Sequence, residues 1–403
     1  MTAVVQGTID SANRIRRSLD SDHGAPETGR HFLRYHRQVI LPGFGEQAQE
    51  RLRSAHALVV GCGALGCAAI DLLARAGVGT ITIVDRDVVE LTNLQRQCLF
   101  TERDAREGVP KAEAAKRRVA DVNREVRVHA CVEHLGADNA VEFVRDCTVV
   151  VDGLDNYRTR YVLNDASVQV GRPFVHAGAV GMMGTSAPFL AGVADAWGLA
   201  RADAPCLRCV FPTLPAPGEG ETCDTAGVFG PLVATVGAHA ADAAIKIAAG
   251  LHAAVDRSLW HIDAAANREL RVSLAGTARA DCPCCGARKF EFLRAEDDDQ
   301  ATVLCGRNAV QVKPGAHAGV GARARAQPGS ADAGIDLAAL AVRLRTHGDF
   351  AMRGAQLVGT LREIRARDGA AVELTVFADG RAIVRGSTDA TFAKSVYDRL
   401  IGS

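Results

Sequence analysis

The chain has 403 residues, of which 48% are hydrophobic, so it can bury a large core and hold one large domain with a smaller one. Basic and acidic residues number 47 each, and this zero net charge gives no indication of nucleic acid or an anionic membrane as a partner. No apolar run approaches the roughly 20 residues of a transmembrane helix, and the first segment lacks an apolar signal core. With twelve cysteines, the sequence therefore predicts a cytoplasmic location, where thiols bind metals or react rather than form disulfides.

Strands alternate with helices through the first half of the chain, after a polar segment (1–30) that is predicted to be disordered. Apolar strands are predicted at 57–60, 80–84, 126–130 and 148–151, and helices at 64–76, 110–122, 137–145 and 158–170. This alternation predicts an α/β fold with a doubly wound, mostly parallel, Rossmann-like sheet.

The pattern changes after residue 173 and again near residue 296. Short strands (174–176, 185–190, 260–263 and 269–272) surround an alanine-rich helix at 231–249. An acidic run and a Gly/Ala-rich spacer then lead to helix 337–345, strands 372–377 and 382–385, and helix 390–401. We therefore divide the chain into 31–295, the nucleotide-binding domain; 296–334, a linker with the start of a C-terminal module; and 335–403, a small α/β module.

A glycine-rich loop joins the first predicted strand to the first long helix. It reads Gly61-Cys62-Gly63-Ala64-Leu65-Gly66, a G-x-G-x-x-G whose glycines allow a tight turn and a close approach of phosphate to the helix N-terminus. Asp85 ends the next strand at about the spacing expected for an acid that binds ribose hydroxyls. The predicted nucleotide contacts are Gly61, Gly63, Ala64, Gly66 and Asp85. The motif alone does not distinguish a nicotinamide dinucleotide from ATP.

The polar cluster after the second strand favours ATP. It comprises Asp85-Arg86-Asp87, Asn93-Leu94-Gln95-Arg96-Gln97 and Pro110-Lys111. A dehydrogenase does not need these side chains, whereas an adenylating enzyme must neutralise charge on the α-phosphate and on departing pyrophosphate. The alternative is that they are solvated loop charges.

Two widely separated cysteine pairs predict a structural zinc site. Cys206 and Cys209 form one C-x-x-C, and Cys282 and Cys285 form the other. Cys284 is left as a spare thiol. Five further cysteines are predicted to fill core or half-core positions: Cys62, Cys67, Cys98, Cys131 and Cys147.

The ordered set of motifs resembles the MoeB/ThiF family, relatives of the ubiquitin-activating enzymes. It comprises residues 34–41 (Arg-Tyr-His-Arg-Gln-Val-Ile-Leu), the glycine loop, 85–97, Lys111, 152–156 (Asp-Gly-Leu-Asp-Asn), both cysteine pairs and Cys223 between them. The resemblance covers about residues 31–295. It implies binding of ATP and Mg²⁺, and adenylation of the C-terminal Gly-Gly carboxylate of a small β-grasp sulfur carrier protein by a homodimer. A sulfur donor protein is a further implied partner.

The resemblance also implies roles for individual residues. Asp85 is similar to the ribose ligand, with Asp87 and Gln97 beside it as further nucleotide contacts. Asn93, Arg96 and Lys111 look like phosphate contacts, and Arg37 is similar to the arginine that enters the partner subunit's site. Asp155 looks like the magnesium-associated acid, as a carboxylate beside phosphate suits that ion. Cys223 is similar to a cysteine that can link covalently to the activated carrier, although it can equally be a loop cysteine without a required role.

Three features depart from the family pattern. Gly181 and Met183 stand where many relatives have an arginine and an acid, no rhodanese domain follows, and the C-terminal module matches only the small extension of some ThiF-like proteins. The first of these leaves the identity of the carrier open. The alternative functions are adenylation of a ribosomally made peptide, a non-catalytic scaffold that binds a ubiquitin-like partner and, least favoured because no hydride-transfer site is evident, an NAD-dependent dehydrogenase.

Overall fold

A computed structural model of the chain describes residues 33–214, 226–294, 301–304, 308–312, 335–353, 356–378 and 380–402. The segment predicted to be disordered (1–30), Cys223 and most of the predicted linker lie outside the described residues.

The first domain is built on an eight-stranded mixed sheet, of order β3-β2-β1-β4-β5-β6-β7-β8. Strands β1 to β5 pair in parallel, and β6, β7 and β8 continue the sheet antiparallel. The strands are β1 (His56–Val60), β2 (Thr80–Val84), β3 (Arg127–Cys131), β4 (Val149–Asp152), β5 (Phe174–Val180), β6 (Met183–Phe189), β7 (Ser258–Asp263) and β8 (Arg268–Ser273). From β1 the chain first adds β2 and β3 on one side, and then adds β4 and β5 on the other side. At such a change of direction in strand order a crevice opens at the carboxyl ends of the two central strands, here β1 and β4.

Helices cover both faces of this sheet. They are α1 (His36–Val39), α2 (Gly45–Ser54), α3 (Ala64–Ala76), α4 (Glu102–Glu107), α5 (Lys111–Val122), α6 (Ala140–Arg145), α7 (Tyr157–Val170), α8 (Leu207–Val210) and α9 (Gly230–Ala248). Strands β1, β2 and β4 are buried along almost their whole length, which is why they read as continuous apolar runs.

Small residues let α9 lie directly against α3. A Cβ on Gly237 would stand 2.7 Å from the Cβ of Ala68 and 2.9 Å from the carbonyl oxygen of Leu65. The alanine-rich sequence of α9 is therefore explained by close packing within the chain, and the helix brings its N-terminus, at Gly230, to within reach of Gln95.

The C-terminal module is a separate six-stranded antiparallel sheet of order β11-β12-β13-β14-β10-β9. Its elements are β9 (Ala301–Leu304), β10 (Ala309–Val312), α10 (Leu337–Arg343), β11 (Gly348–Arg353), β12 (Gln356–Arg365), β13 (Ala371–Phe377), β14 (Ala382–Arg385) and α11 (Ala390–Leu400). Helices α10 and α11 pack on the sheet and close a core of their own around Leu340, Leu374 and Val396.

The sequence prediction missed β11 and β12, which form the outer hairpin of the module. Gly359 stands opposite Phe350 across this hairpin, and a side chain there would collide with the Phe350 ring. Gly359 leaves room for the ring, but glycine is rare in strands and so weakens the sequence signal. The charged residues Arg362 and Glu363, further along the same strand, interrupt the apolar alternation as well.

Candidate functional site

The glycine loop and the loop after β4 pack backbone to backbone at the carboxyl edge of the sheet. Gly61 has a φ of +89°, and a Cβ there would lie 2.5 Å from the carbonyl oxygen of Gly153. A Cβ on Gly153 or Gly66 would in turn collide with the carbonyl of Gly61. Because only glycine fits at these three positions, the loop stays open for phosphate at the N-terminus of α3, which begins at Ala64 after Gly63.

Asp85 lies at the end of β2 and faces this loop. Its carboxylate accepts hydrogen bonds from the backbone N–H of Cys62 at 2.6 Å and of Asp87 at 2.8 Å. Burial raises the pKa of Asp85 to about 6, an effect that Lys111 opposes and the neighbouring Asp87 reinforces. The carboxylate is thus held in one orientation between the glycine loop and the polar segment that follows β2.

Lys111 begins α5 and is paired with Asp87. Its Nζ lies 3.2 Å from Oδ2 of Asp87, and its side chain is only 10% exposed. Burial disfavours the ammonium charge, but Asp87 and Asp85 outweigh it and raise the lysine pKa. Burial likewise opposes ionisation of Asp87, yet Lys111 and Arg86 hold its pKa at about 2. The site therefore carries a fixed cation beside the glycine loop.

Three more predicted contacts lie on the turn after Glu90. Asn93 is buried, and its Oδ1 accepts the backbone N–H of Glu90 at 3.0 Å, so this side chain shapes the turn. Gln97 is also buried, and among the described residues its Oε1 has no hydrogen-bond partner. Arg96 donates from Nη1 to the carbonyl of Thr92 at 3.0 Å and lines a cavity of about 220 Å³.

Asp155 and Arg37 are both exposed but lie in different parts of the domain. Asp155 follows β4 beside Asn156, whose Oδ1 caps α7 by accepting from the backbone N–H of Thr159 at 2.9 Å. Arg37 is on the short helix α1. In the described ranges no hydrogen bond joins the Arg37 side chain to the nucleotide residues.

The two cysteine pairs meet, although a long stretch of chain separates them. The Sγ atoms of Cys206, Cys209, Cys282 and Cys285 all lie within 4.8 Å of one another. Neighbouring sulfurs are separated by 4.0 Å (Cys206–Cys209), 3.6 Å (Cys206–Cys282) and 3.4 Å (Cys209–Cys285). Four sulfurs at 2.3 Å from a tetrahedral Zn²⁺ would be about 3.8 Å apart, so the cluster could hold such an ion.

Comparison with known proteins gives the family of the chain. The family model described as "ThiF family" matches residues 35–284, well over half of the chain. The chain belongs to the ThiF family. It is 37% identical over 369 residues to a sulfur carrier protein ThiS adenylyltransferase of Bacillus subtilis, covering 92% of this chain and 99% of that protein. It is 38% identical over 253 residues to a SAMP-activating enzyme E1 of Haloferax volcanii, covering 63% of this chain and 88% of that one.

Two further similarities cover part of each chain. The mouse adenylyltransferase and sulfurtransferase MOCS3 is 40% identical over 277 residues, which is 69% of this chain but 56% of MOCS3. A crystal structure of E. coli MccB with MccA-N7isoASN superposes with a TM-score of 0.52 at 22% identity, over 63% of this chain and 74% of that one. The latter shows the fold alone. The B. subtilis match extends past the family domain and so includes much of the C-terminal module.

Sequence reasoning missed a buried network beneath the ThiF site. Asp152, fully buried at the end of β4, accepts from Nε of Arg160 at 2.6 Å, from His176 Nδ1 at 2.8 Å and from the backbone N–H of Leu154 at 3.0 Å. Burial opposes its ionisation, but Arg160 and His176 hold the pKa of Asp152 below its usual value. Asp152 therefore anchors the loop that carries Asp155.

The remaining cysteines divide by environment. Cys62, Cys67 and Cys147 are buried and Cys131 is partly buried, but Cys98 is exposed, so its assignment to the core or half-core was wrong. Cys98 lies in a turn rather than in a helix or strand, and its neighbours Leu99 and Phe100 are buried there instead. Cys284 is buried beside the cluster, where its sulfur lies 3.3 Å from Nδ2 of Asn164.

In the described part of this ThiF-family chain no helix is long and apolar enough to cross a membrane.

Proposed function

We propose that this protein adenylates the C-terminal Gly-Gly carboxylate of a small ubiquitin-like sulfur carrier protein, which prepares that carboxyl group for conversion to a thiocarboxylate. The observation that carries the proposal is the Asp85–Asp87–Lys111 arrangement against the glycine loop of a ThiF-family chain, in which the lysine is buried. The names of the B. subtilis and H. volcanii relatives support the same substrate class.

The reaction joins the carrier to AMP. A carboxylate oxygen of the carrier attacks the α-phosphorus of ATP, a P–O bond to the β-phosphate breaks, and pyrophosphate leaves with the electron pair. Asp85 would hold the ribose, while Lys111 and Arg96 would neutralise charge that builds on the phosphates, with Asn93 and Gln97 beside them. Because Asp87 already holds Lys111, this cation would need little reorganisation during the step.

Asp155 would provide a carboxylate oxygen to Mg²⁺. Its exposed position beside Gly153 and the glycine loop fits an ion that takes one or two carboxylates together with phosphate and water. The ion would supply charge neutralisation of the phosphates. The neighbouring Asn156 is committed to capping α7 and is not available as a reacting group.

Arg37, the cysteine cluster and Cys223 complete the proposal. Exposed Arg37 would reach the site of a second subunit, which makes the active form a homodimer. The four clustered thiolates would hold a structural Zn²⁺ that joins α8 to the segment after β8, without a part in the chemistry. The thiolate of Cys223 would attack the acyl-adenylate, forming a thioester with the carrier and releasing AMP.

A direct test is to identify the adenylated product. The protein is incubated with Mg·ATP, inorganic pyrophosphatase and either a β-grasp protein ending in Gly-Gly or a short ribosomal peptide. Mass spectrometry should show one AMP unit added to the β-grasp protein, and none when its last glycine is removed. An AMP adduct on the peptide alone would contradict the proposed substrate and favour a peptide acceptor.

A further inference from the structure

The last helix of the C-terminal module lies against the nucleotide site. Helix α11 buries one face on its own sheet through Ala393, Val396, Tyr397 and Leu400. The residues between them face the first domain. Three of these make polar contacts with the segment that follows Asp85, at the point where the ThiF-family domain carries its nucleotide residues.

Each of the three contacts reaches a different residue of that segment. Nη2 of Arg86 lies 3.1 Å from Oδ2 of Asp398, in a pair whose side chains are only 16% and 22% exposed. Arg399 pairs with Glu90, its Nη1 at 3.3 Å from Oε1. The Oγ of Ser395 donates to Oδ1 of Asp87 at 3.4 Å.

Asp87 connects this helix to the phosphate lysine. Its Oδ1 accepts from Ser395 and its Oδ2 from Lys111, so the two oxygens of one carboxylate link α11 to the cation of the glycine loop. Arg86 lies 4.0 Å from Oδ1 of Asp87. Asp398 holds the same guanidinium through Nη2, so Arg86 bridges Asp398 and Asp87 and helps to orient the carboxylate that pairs with Lys111.

The same helix comes within electrostatic reach of Asp155. Burial raises the pKa of Asp398, Arg86 opposes that effect, and the negative charge of Asp155 adds to it. Arg399 in turn lowers the pKa of both Asp87 and Lys111, after larger effects from their nearer neighbours. The placement of the helix against residues 86–90 comes from the three polar contacts, and these charge effects are consistent with it.

We infer that α11 is a positioning element of the nucleotide site, in which Ser395 and Asp398 orient Lys111 through Asp87 and Arg86. The C-terminal module then acts in cis on ATP binding, and neither residue touches the reacting atoms. This inference rests on the proposed nucleotide chemistry but not on the identity of the acceptor, since it concerns ATP and not the carrier.

The test is the affinity of the full-length protein for Mg·AMPCPP, a non-hydrolysable ATP analogue, by isothermal titration calorimetry without any acceptor. Asp398→Asn should weaken binding about tenfold, the size expected for a charge-assisted hydrogen bond, and Ser395→Ala should weaken it by a smaller factor. Ser395→Thr keeps the hydroxyl and should restore the wild-type affinity. Arg385→Ala, which removes an exposed ion pair with Glu373 in the same module, should have no effect.

Kinetics separate positioning from mere stability. If adenylation is measurable, the two weakened variants should raise KM for ATP more than they lower kcat, because the contact acts on binding. Unchanged AMPCPP affinity in both variants would show that α11 only attaches the C-terminal module to the first domain, and would overturn the inference. Tighter binding would make it a lid that competes with ATP, which also overturns the inference. If the wild-type protein binds AMPCPP but adenylates no carrier, the proposed function is wrong, while the inference about α11 and nucleotide binding still stands.

Discussion

Asp85 shows how burial at a single residue makes the site sensitive to pH. A pKa raised to about 6 means that the carboxylate is ionised above that pH and carries a proton below it. The ionised form is the better acceptor for ribose hydroxyls, and the two backbone N–H groups that point at it suit that form.

We therefore expect nucleotide affinity to fall as the pH drops below about 6, by at most tenfold per pH unit for one proton. Calorimetric titration of Mg·AMPCPP between pH 5 and 8 measures this. Asp85→Asn should bind more weakly at pH 8 and should lose that part of the pH dependence. Because the ligand's own phosphate titrates equally with both proteins, identical profiles would contradict the assignment of Asp85.

The buried network around Asp152 leads to a prediction about the free energy of unfolding. Asp152→Asn leaves Arg160 buried without its counter-charge, which should lower the free energy of unfolding by about 3–5 kcal/mol. Denaturant unfolding of the full chain measures it. The matched control is Glu107→Gln, which breaks the solvent-exposed pair with Arg103 and should leave the free energy of unfolding nearly unchanged. Equal effects of the two substitutions would show that the Asp152 network is not the anchor that its burial indicates.

At the scale of elements, the cysteine cluster joins segments that are far apart in sequence. Its four sulfurs come from α8 with the residue before it and from the turn after β8. Since a bound metal stabilises only the folded arrangement, metal affinity adds directly to folding free energy.

We expect one Zn²⁺ per chain by elemental analysis, and a lower thermal midpoint after chelation or in Cys282→Ser. Exposed Cys98→Ser is the control and should keep both the metal and the midpoint. A full complement of zinc in Cys282→Ser would exclude this cluster as the site.

Elements of the first domain follow closely from local sequence. The prediction for the first long helix, 64–76, coincides with α3, since an N-terminal glycine loop and Gly77 in the left-handed region mark its ends. Contacts between distant elements did not follow. Asp152, Arg160 and His176 come from β4, α7 and β5, and no local pattern shows that they meet. The contacts of α11 with residues 86–90 are hidden for the same reason.

For the whole molecule, the proposed homodimer predicts complementation between subunits. In a dimer of one Arg37→Ala chain and one Asp155→Ala chain, one site has both its own Asp155 and the partner's arginine. Random mixing of the two inactive variants should therefore restore about one quarter of wild-type adenylation, because half of the dimers are mixed and each has one intact site. Activity that stays at the level of either variant alone would contradict a site shared between subunits.

The central claim is acceptor-dependent activation of a carboxylate by ATP. The most direct measurement is ATP–pyrophosphate isotope exchange with a panel of β-grasp proteins ending in Gly-Gly, for the wild-type protein and Asp155→Ala. We predict exchange with one carrier and none without it, and loss of exchange in Asp155→Ala with the fold intact by thermal melting. No exchange with any carrier by a protein that binds ATP, or full exchange by Asp155→Ala, would contradict the account.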